Sequence, residues 1–145
     1  CKQEKQWCKV NKFAKDEYSH WDISFYSGKT ANIGEIKLRK YDSDTYGTWY
    51  LQVDKYDELV QLQSKLKAKG KDTRITYINI FQDNITVIWV LDNIDMSKLE
   101  KKMIQLQKND YEDELVWKQV YALPRMYGDP YETDLAKSIF TNNNN

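Results

Sequence analysis

Catalysis needs side chains that exchange protons, attack a substrate or hold a metal ion, and this sequence offers few of them in recognisable patterns. Its single histidine, His20, stands in Ser19-His20-Trp21-Asp22. An unperturbed imidazole titrates near neutral pH, so His20 is the natural candidate for a general base. A triad, however, is built from elements that converge in space rather than from four successive residues. We therefore expect His20 to be a surface or packing residue.

Two acidic stretches are the other candidates for chemistry. The segment Asp42-Ser43-Asp44-Thr45-Tyr46-Gly47 resembles the first half of a calcium-binding loop, but Tyr46 occupies the third ligand position. Val53 stands where such a loop needs a bidentate glutamate. We interpret the segment as a hairpin turn stabilised by aspartate side chains. The second stretch, which we expect to be a solvated loop, comprises Asp110, Glu112, Asp113 and Glu114.

Established catalytic motifs are missing from the sequence. There is no G-x-S-x-G, H-E-x-x-H, P-loop, G-x-G-x-x-G or C-x-x-C pattern. Cys1, Cys8 and His20 do not have the spacing of a metal site. The sequence therefore predicts a protein that is not an enzyme and that holds no cofactor or metal ion.

The segment from Pro124 to Tyr131 is the strongest candidate for a binding surface. Arginine, methionine and tyrosine are enriched at the cores of protein interfaces, and the two prolines restrict the loop before a partner binds. The alternative is an ordinary crossing loop whose aromatic side chains cover a sheet edge. The predicted protein-binding residues are Arg125, Met126, Tyr127 and Tyr131.

The charge balance bears on partners. The chain has 145 residues, of which 22 are basic and 22 acidic. Proteins that bind nucleic acid usually concentrate basic residues, and the strand Ile85–Val90 lacks the basic and glycine positions of an RNA-recognition strand. We therefore expect no nucleic-acid partner. The longest apolar run, Ile85–Leu91, is far shorter than the roughly 20 residues that span a bilayer.

The chain begins with Cys1, followed by the polar run Lys2-Gln3-Glu4-Lys5-Gln6. This start resembles the mature N-terminus of bacterial lipoproteins, in which a cysteine is acylated after signal cleavage. The resemblance implies a lipid anchor on Cys1 in the bacterial cell envelope, and Lys2 in place of aspartate favours the outer membrane. The alternative is a domain cut from a longer chain. Cys8 is then either a thiol without a partner or, if Cys1 carries no lipid, its disulfide partner.

The elements that must position these residues follow from hydrophobic periodicity. Residues 1–20 form a polar leader, residues 21–141 a single α+β domain, and residues 142–145 a disordered tail. Residues 23–26 predict a short strand, and alternation in 35–39 and 49–53 predicts a hairpin. Arg74–Phe81 and Ile85–Leu91 are apolar at nearly every position, which is typical of central strands.

Two helices complete the predicted core. Asp54 is placed to cap a helix carrying Tyr56, Leu59, Leu62 and Leu66, which ends at Gly70. Asp95 is placed to cap a second helix. The apolar stripe of that second helix comprises Met96, Leu99, Met103 and Leu106.

A strand at Leu115–Leu123 completes the order β-α-β-β-α-β. That order predicts a ferredoxin-like core, an antiparallel sheet with two helices, preceded by a short strand and a hairpin strand. A last short helix is expected at Pro130–Phe140.

Taken together, these features predict a non-catalytic envelope lipoprotein that acts as an accessory, assembly or binding subunit of a membrane-associated complex. Its partners would be envelope proteins and, through the lipid, the membrane itself. An immunity or exclusion lipoprotein that blocks a toxin, phage or conjugative partner fits the same features. A hydrolase that uses loop carboxylates is the third hypothesis.

Overall fold

A computed structural model describes residues 10–13, 23–109 and 112–133 of the chain. In these ranges the chain forms nine strands and one α-helix, α1. In chain order the elements are β1 (Val10–Phe13), β2 (Ile23–Ser27), β3 (Thr30–Arg39), β4 (Thr48–Gln52), α1 (Val53–Ala68), β5 (Thr73–Phe81), β6 (Ile85–Val90), β7 (Lys101–Asn109), β8 (Glu112–Pro124) and β9 (Asp129–Glu132).

The strands form two sheets. The large sheet has six strands in the order β1-β2-β3-β5-β6-β9, and the small sheet has three in the order β4-β8-β7. At the centre of the large sheet β3 and β5 run parallel, with Ile33 opposite Ile75 and Arg39 opposite Phe81. Parallel neighbours need a long crossover connection, and β4 together with α1 provides it. The other pairs in both sheets are antiparallel.

The central strands β5 and β6 confirm the prediction from their apolar runs, because they are buried at almost every position. One face of the large sheet packs on α1 and the small sheet, where Trp49, Leu59, Tyr77, Trp89 and Leu123 form the main core. The opposite face carries a second apolar cluster. Its buried members are Ile23, Phe25, Ile78, Ile80, Ile88 and Val90.

Helix α1 begins two residues earlier than the predicted cap at Asp54 implies. Its N-cap is Gln52, which makes no capping hydrogen bond through its side chain, so the predicted cap at Asp54 is wrong. Asp54 lies in the first turn, where a negative charge interacts favourably with the helix dipole. The predicted stop is confirmed: Gly70 has a φ of 81° and its N–H donates to the carbonyl of Lys67, a conformation that glycine adopts at little cost.

The second predicted helix is wrong, and with it the ferredoxin-like, two-helix core. Met96–Lys98 is only a 3₁₀ turn, in which the Asp95 carboxylate accepts a hydrogen bond from the Ser97 N–H. The chain then extends into β7. Residues 103–106 also fit the alternation of a strand. Ile104 and Leu106 lie on one face and are partly buried, whereas Met103 lies on the other face and is 57% exposed. Pairing with β8 along most of β7 stabilises the strand instead of the helix.

The predicted hairpin between residues 35–39 and 49–53 is also wrong. Residues 35–39 lie in β3 and residues 49–52 in β4, whereas Val53 begins α1, and β3 and β4 lie in different sheets. The segment between them is a turn in which the N–H and hydroxyl of Thr45 donate to the carbonyl of Asp42. The Asp83 carboxylate accepts hydrogen bonds from the N–H and hydroxyl of Ser43 at 3.0 and 2.8 Å. This turn therefore connects the two sheets and is tied to the β5–β6 connection.

Several predictions fall wholly or partly outside the described residues. Of the helix expected at Pro130–Phe140, residues 130–132 belong to β9, which pairs with β6, and Thr133 follows that strand. Cys1, Cys8 and His20 lie outside the described ranges. The division into leader, domain and tail stays a prediction. Within the ranges that are described, no helix is both long and apolar enough to cross a membrane.

β3 and β5 approach each other closely at Gly34. It lies opposite Thr76, and a Cβ at this position would collide with the Thr76 carbonyl oxygen. We expect Gly34→Ala to lower the free energy of unfolding by about 1–3 kcal/mol, the usual cost of overpacking. Gly47→Ala is the matched control, because its Cβ would meet nothing within 4 Å. Urea unfolding measures both, and equal stability of the two variants would contradict this close pairing.

Candidate functional site

A cleft of about 380 Å³ opens between β3 of the large sheet and the strands of the small sheet. Strand β3 forms one wall. The loop before β4, β4 itself and the β7–β8 hairpin form the others. The cleft is lined by Glu35, Lys37, Arg39, Tyr41, Tyr46, Thr48, Trp49, Tyr50, Leu51, Gln52, Ile104, Leu106 and Val120.

Three charged side chains line the β3 wall. Successive residues of a strand point to opposite faces, so Glu35, Lys37 and Arg39 share the face that borders the cleft. The intervening Ile36 packs against the second apolar cluster on the other face. The alternation that predicts a half-exposed strand therefore also aligns one carboxylate and two cations along a single wall.

Glu35 and Lys37 form an ion pair within this wall. The Glu35 carboxylate lies 2.9 Å from the Lys37 ammonium, and Glu35 is only 5% exposed. An isolated carboxylate is costly to bury, so its charge has to be compensated by a cation or a metal ion. The Lys37 side chain is 41% exposed and reaches the carboxylate from the open side of the cleft. The pair places a hard oxygen ligand and an ammonium donor next to each other where a ligand can enter.

Arg39 is held by neutral partners. Its Nε donates to Asn79 Oδ1 at 2.6 Å and its Nη2 to the Tyr77 hydroxyl at 3.1 Å. The Tyr77 hydroxyl in turn donates to the carbonyl of Tyr50 at 2.9 Å, which links the two sheets. Burial raises the pKa of Tyr77, while the nearby Arg39 acts in the opposite direction. The phenol therefore stays neutral at neutral pH.

The metal-binding potential of the cleft rests on Glu35. Within the described ranges no group of three or more His, Cys, Asp and Glu residues could hold a metal ion, and Glu35 is the single carboxylate among the described lining residues. Carboxylate oxygens are the ligands that Mg²⁺ prefers, and Mg²⁺ often uses one or two of them together with substrate phosphates. The donor chemistry thus fits a divalent cation once a second ligand is supplied.

Neither Glu35 nor Lys37 was among the functional residues predicted from the sequence. The available signal was an acid and a lysine two positions apart in a strand with alternating polarity, which places both on one face. A search for contiguous catalytic motifs does not detect such a pair.

The residues predicted for protein binding lie elsewhere, and none of them lines the cleft. Arg125, Met126 and Tyr127 form a 3₁₀ turn after β8, with Met126 and Tyr127 exposed. Tyr131 lies in β9 and packs against the second apolar cluster. Tyr131 is thus partly buried, unlike Met126 and Tyr127, and the protein-binding role stays a prediction.

The described residues of the acidic stretch predicted to be a solvated loop are not among the lining residues either. Asp113 and Glu114 are exposed near the start of β8. Glu112 begins that strand, and Asp110 is outside the described ranges. The stretch therefore belongs in part to a strand.

Comparison with known proteins gives one informative likeness. No protein-family model matches the chain, and no curated protein matches its sequence. Among solved structures the chain is similar to a Holliday junction resolvase from the archaeal hyperthermophile Archaeoglobus fulgidus, with a TM-score of 0.50 and 13% identity. The likeness covers 87% of this chain and 84% of that chain. At this level of identity it concerns the fold.

This likeness corrects several predictions made from the sequence. The fold resembles that of a Holliday junction resolvase and not a ferredoxin-like core, and this likeness stands against the predictions of a non-enzymatic protein and of no nucleic-acid partner. The accessory-subunit and immunity or exclusion hypotheses fall with them. The hydrolase hypothesis placed its carboxylates in loops, whereas Glu35 lies within a strand.

The comparison gives no support to an outer-membrane lipoprotein either. Cys1 lies outside the described residues, so the envelope location stays a prediction.

Proposed function

We propose that this protein is a metal-dependent nuclease that hydrolyses phosphodiester bonds of nucleic acid in the cleft beside β3. The observation that carries the proposal is the buried Glu35 carboxylate, paired with Lys37 at 2.9 Å on a wall of that cleft. The similarity of the fold to a Holliday junction resolvase supports the same class of reaction.

Asp22 is the proposed second carboxylate. It lies outside the described residues, and in the sequence it directly precedes Ile23. Ile23 begins β2 and pairs with Gly34, the residue before Glu35. The chain therefore carries a further carboxylate within one residue of the strand pair that holds Glu35.

The chemistry assigns a role to each group. Glu35 and Asp22 would hold a divalent cation, which would supply Lewis-acid chemistry to the phosphate and to the attacking water. Lys37 remains close to the carboxylate, where its ammonium group can donate a hydrogen bond to a phosphate oxygen and stabilise negative charge that develops there. The aliphatic side chains of Ile104, Leu106 and Val120 on the opposite wall reduce the access of bulk water.

The proposal predicts cleavage that depends on a divalent cation. Purified full-length chain should cut labelled DNA in the presence of Mg²⁺ or Mn²⁺ and should lose this activity in excess EDTA, because the reaction needs the metal to neutralise phosphate charge. Single-stranded, duplex and four-way-junction DNA should be offered in parallel, with the matching RNA strands. Electrophoresis of the products measures both rate and substrate preference.

Two results would contradict the proposal. One is the absence of cleavage with every substrate and metal, although the chain is folded as judged by circular dichroism. The other is cleavage that continues unchanged in EDTA.

A further inference from the structure

We infer that Arg39 forms a second phosphate-binding subsite in the same cleft, next to the Glu35–Lys37 pair. The ligand is a nucleic-acid strand, and Arg39 holds a phosphate adjacent to the one that is cleaved. This inference rests on the proposed nuclease function and specifies a residue that binds its substrate.

Arg39 gives the cleft a positive charge that no described acidic side chain compensates. Glu35, Lys37 and Arg39 are the charged residues among the described lining residues. Glu35 and Lys37 compensate each other. The side-chain partners of Arg39 among the described residues, Asn79 and Tyr77, are both neutral. One positive charge thus faces the cleft without a described acidic partner, and a charge of one sign in a cleft raises the local concentration of ligands of the other sign.

The guanidinium group of Arg39 is held in a fixed position before any ligand binds. A guanidinium group has five N–H donors in a rigid plane, and the described contacts of Arg39 use its Nε and Nη2 atoms. Both partners are fully buried. The guanidinium is therefore held in place while donors remain for a planar, two-point contact with phosphate, which is the geometry that arginine favours.

Asn79 adds a further donor at the same place. Its Nδ2 atom is buried and makes no hydrogen bond to another described atom. An unsatisfied buried donor costs free energy unless a ligand or water completes it, so a bound anion at Arg39 gives this amide a nearby acceptor.

Lys37 and Arg39 are two residues apart in β3. Residues two apart in a strand are separated by about 6.4–6.8 Å, so Lys37 and Arg39 address two separate positions along the wall. Successive phosphates of one nucleic-acid strand can contact both positions at once, each with its own cation.

The test measures how binding depends on salt. A fluorescent single-stranded oligonucleotide is titrated with full-length chain carrying Glu35→Gln, which prevents cleavage, at several KCl concentrations. Each phosphate contact contributes about 0.7 to the slope of log K against log salt for single strands. Adding Arg39→Gln should reduce the slope by about 0.7 and weaken binding about tenfold. Arg39→Lys should restore the slope but only part of the affinity, because lysine keeps the charge without the planar donors.

Arg74→Gln is the matched control. Arg74 also lies on a central strand and also donates its Nε to an asparagine, Asn32 at 3.1 Å, but it is not among the cleft-lining residues. Its replacement should leave the slope unchanged. Inorganic phosphate is added as a competitor, and displacement of the oligonucleotide at low millimolar phosphate that depends on Arg39 would assign the subsite to free phosphate and overturn the inference.

The outcomes separate this inference from the proposed function. If the parent chain cleaves nucleic acid while Arg39→Gln and Arg39→Lys, both folded, keep the parental slope and affinity, the subsite is refuted and the nuclease stands. If the Arg39-dependent slope is found but the parent chain cleaves nothing, the nuclease proposal is refuted and Arg39 remains a phosphate contact. A chain that neither binds nor cleaves refutes both.

Discussion

Replacing Glu35 by glutamine should reduce nucleic-acid cleavage by more than about 100-fold while leaving the chain folded. Groups one shell beyond a metal's ligands already change affinity or activity by about 10–100-fold, so loss of the ligand itself should cost more. Glutamine keeps the shape of the side chain but not its negative charge, which the metal needs. Lys37→Ala should also impair cleavage, because it removes the ammonium group 2.9 Å from that carboxylate.

The chain contains a natural control for this experiment. Glu100 and Lys102 have the same two-residue spacing and form an ion pair of 4.0 Å, but their side chains are 68% and 43% exposed and neither lines the cleft. Glu100→Gln and Lys102→Ala make the same changes in charge at an exposed site, where ion pairs contribute little. Their cleavage rates should equal that of the parent chain. A Glu35→Gln variant that cleaves at the parental rate would remove Glu35 from the reaction.

The same experiment should show that loss of activity is not loss of folding. Since the remaining Lys37 side chain is 41% exposed and its ammonium group can be hydrated, the neutral amide at position 35 should not lower the thermal midpoint by much. A large drop would mean that the Glu35–Lys37 pair is needed for the fold. Lys37→Met, which keeps the aliphatic stem, then separates the two roles.

Trp89→Ala should lower the free energy of unfolding by about 3–5 kcal/mol, the range for a large aromatic residue removed from a core. Trp89 is fully buried in β6. Its ring lies 5.9 Å from that of Trp49 and 5.7 Å from that of Tyr77, measured between centroids. Its indole N–H donates to the carbonyl of Pro124 at 3.1 Å. Alanine therefore removes contacts with both sheets and leaves that carbonyl without its donor.

Trp117→Ala is the control for this second experiment. Trp117 lies in β8 and is 63% exposed, so its removal should change the free energy of unfolding by less than about 0.5 kcal/mol. Urea unfolding followed by far-UV circular dichroism compares the two variants without depending on either tryptophan's fluorescence. Similar stabilities for both variants would contradict the packing of the large sheet on the small one.

The sequence by itself determined the elements whose signals are local. The nearly continuous apolar runs of β5 and β6 predict central strands, and both are central strands of the large sheet. The spacing of Leu59, Leu62 and Leu66, followed by Gly70, predicts α1 and its end. Such signals are reliable because burial on both faces, or on one stripe of a helix, requires the side chains at those positions to be apolar.

The global charge balance was a poor guide to partners. Equal numbers of acidic and basic residues favoured the exclusion of nucleic acid, but a ligand interacts with the charges that face its site rather than with the total. On the cleft wall the described residues supply two cations and one carboxylate. Their alignment follows from strand geometry, which the composition does not contain.

Only the tertiary structure decided how the strands pair and what lies beside Glu35. The segment from Met96 to Leu106 fits a helix as well as a strand, and β8 resolves the ambiguity because it offers β7 a continuous row of backbone partners. β3 could have formed a hairpin with β4, yet it pairs in parallel with β5. That pairing brings Tyr77 and Asn79 to Arg39 across about 40 residues of chain, a separation over which local sequence patterns specify no contact.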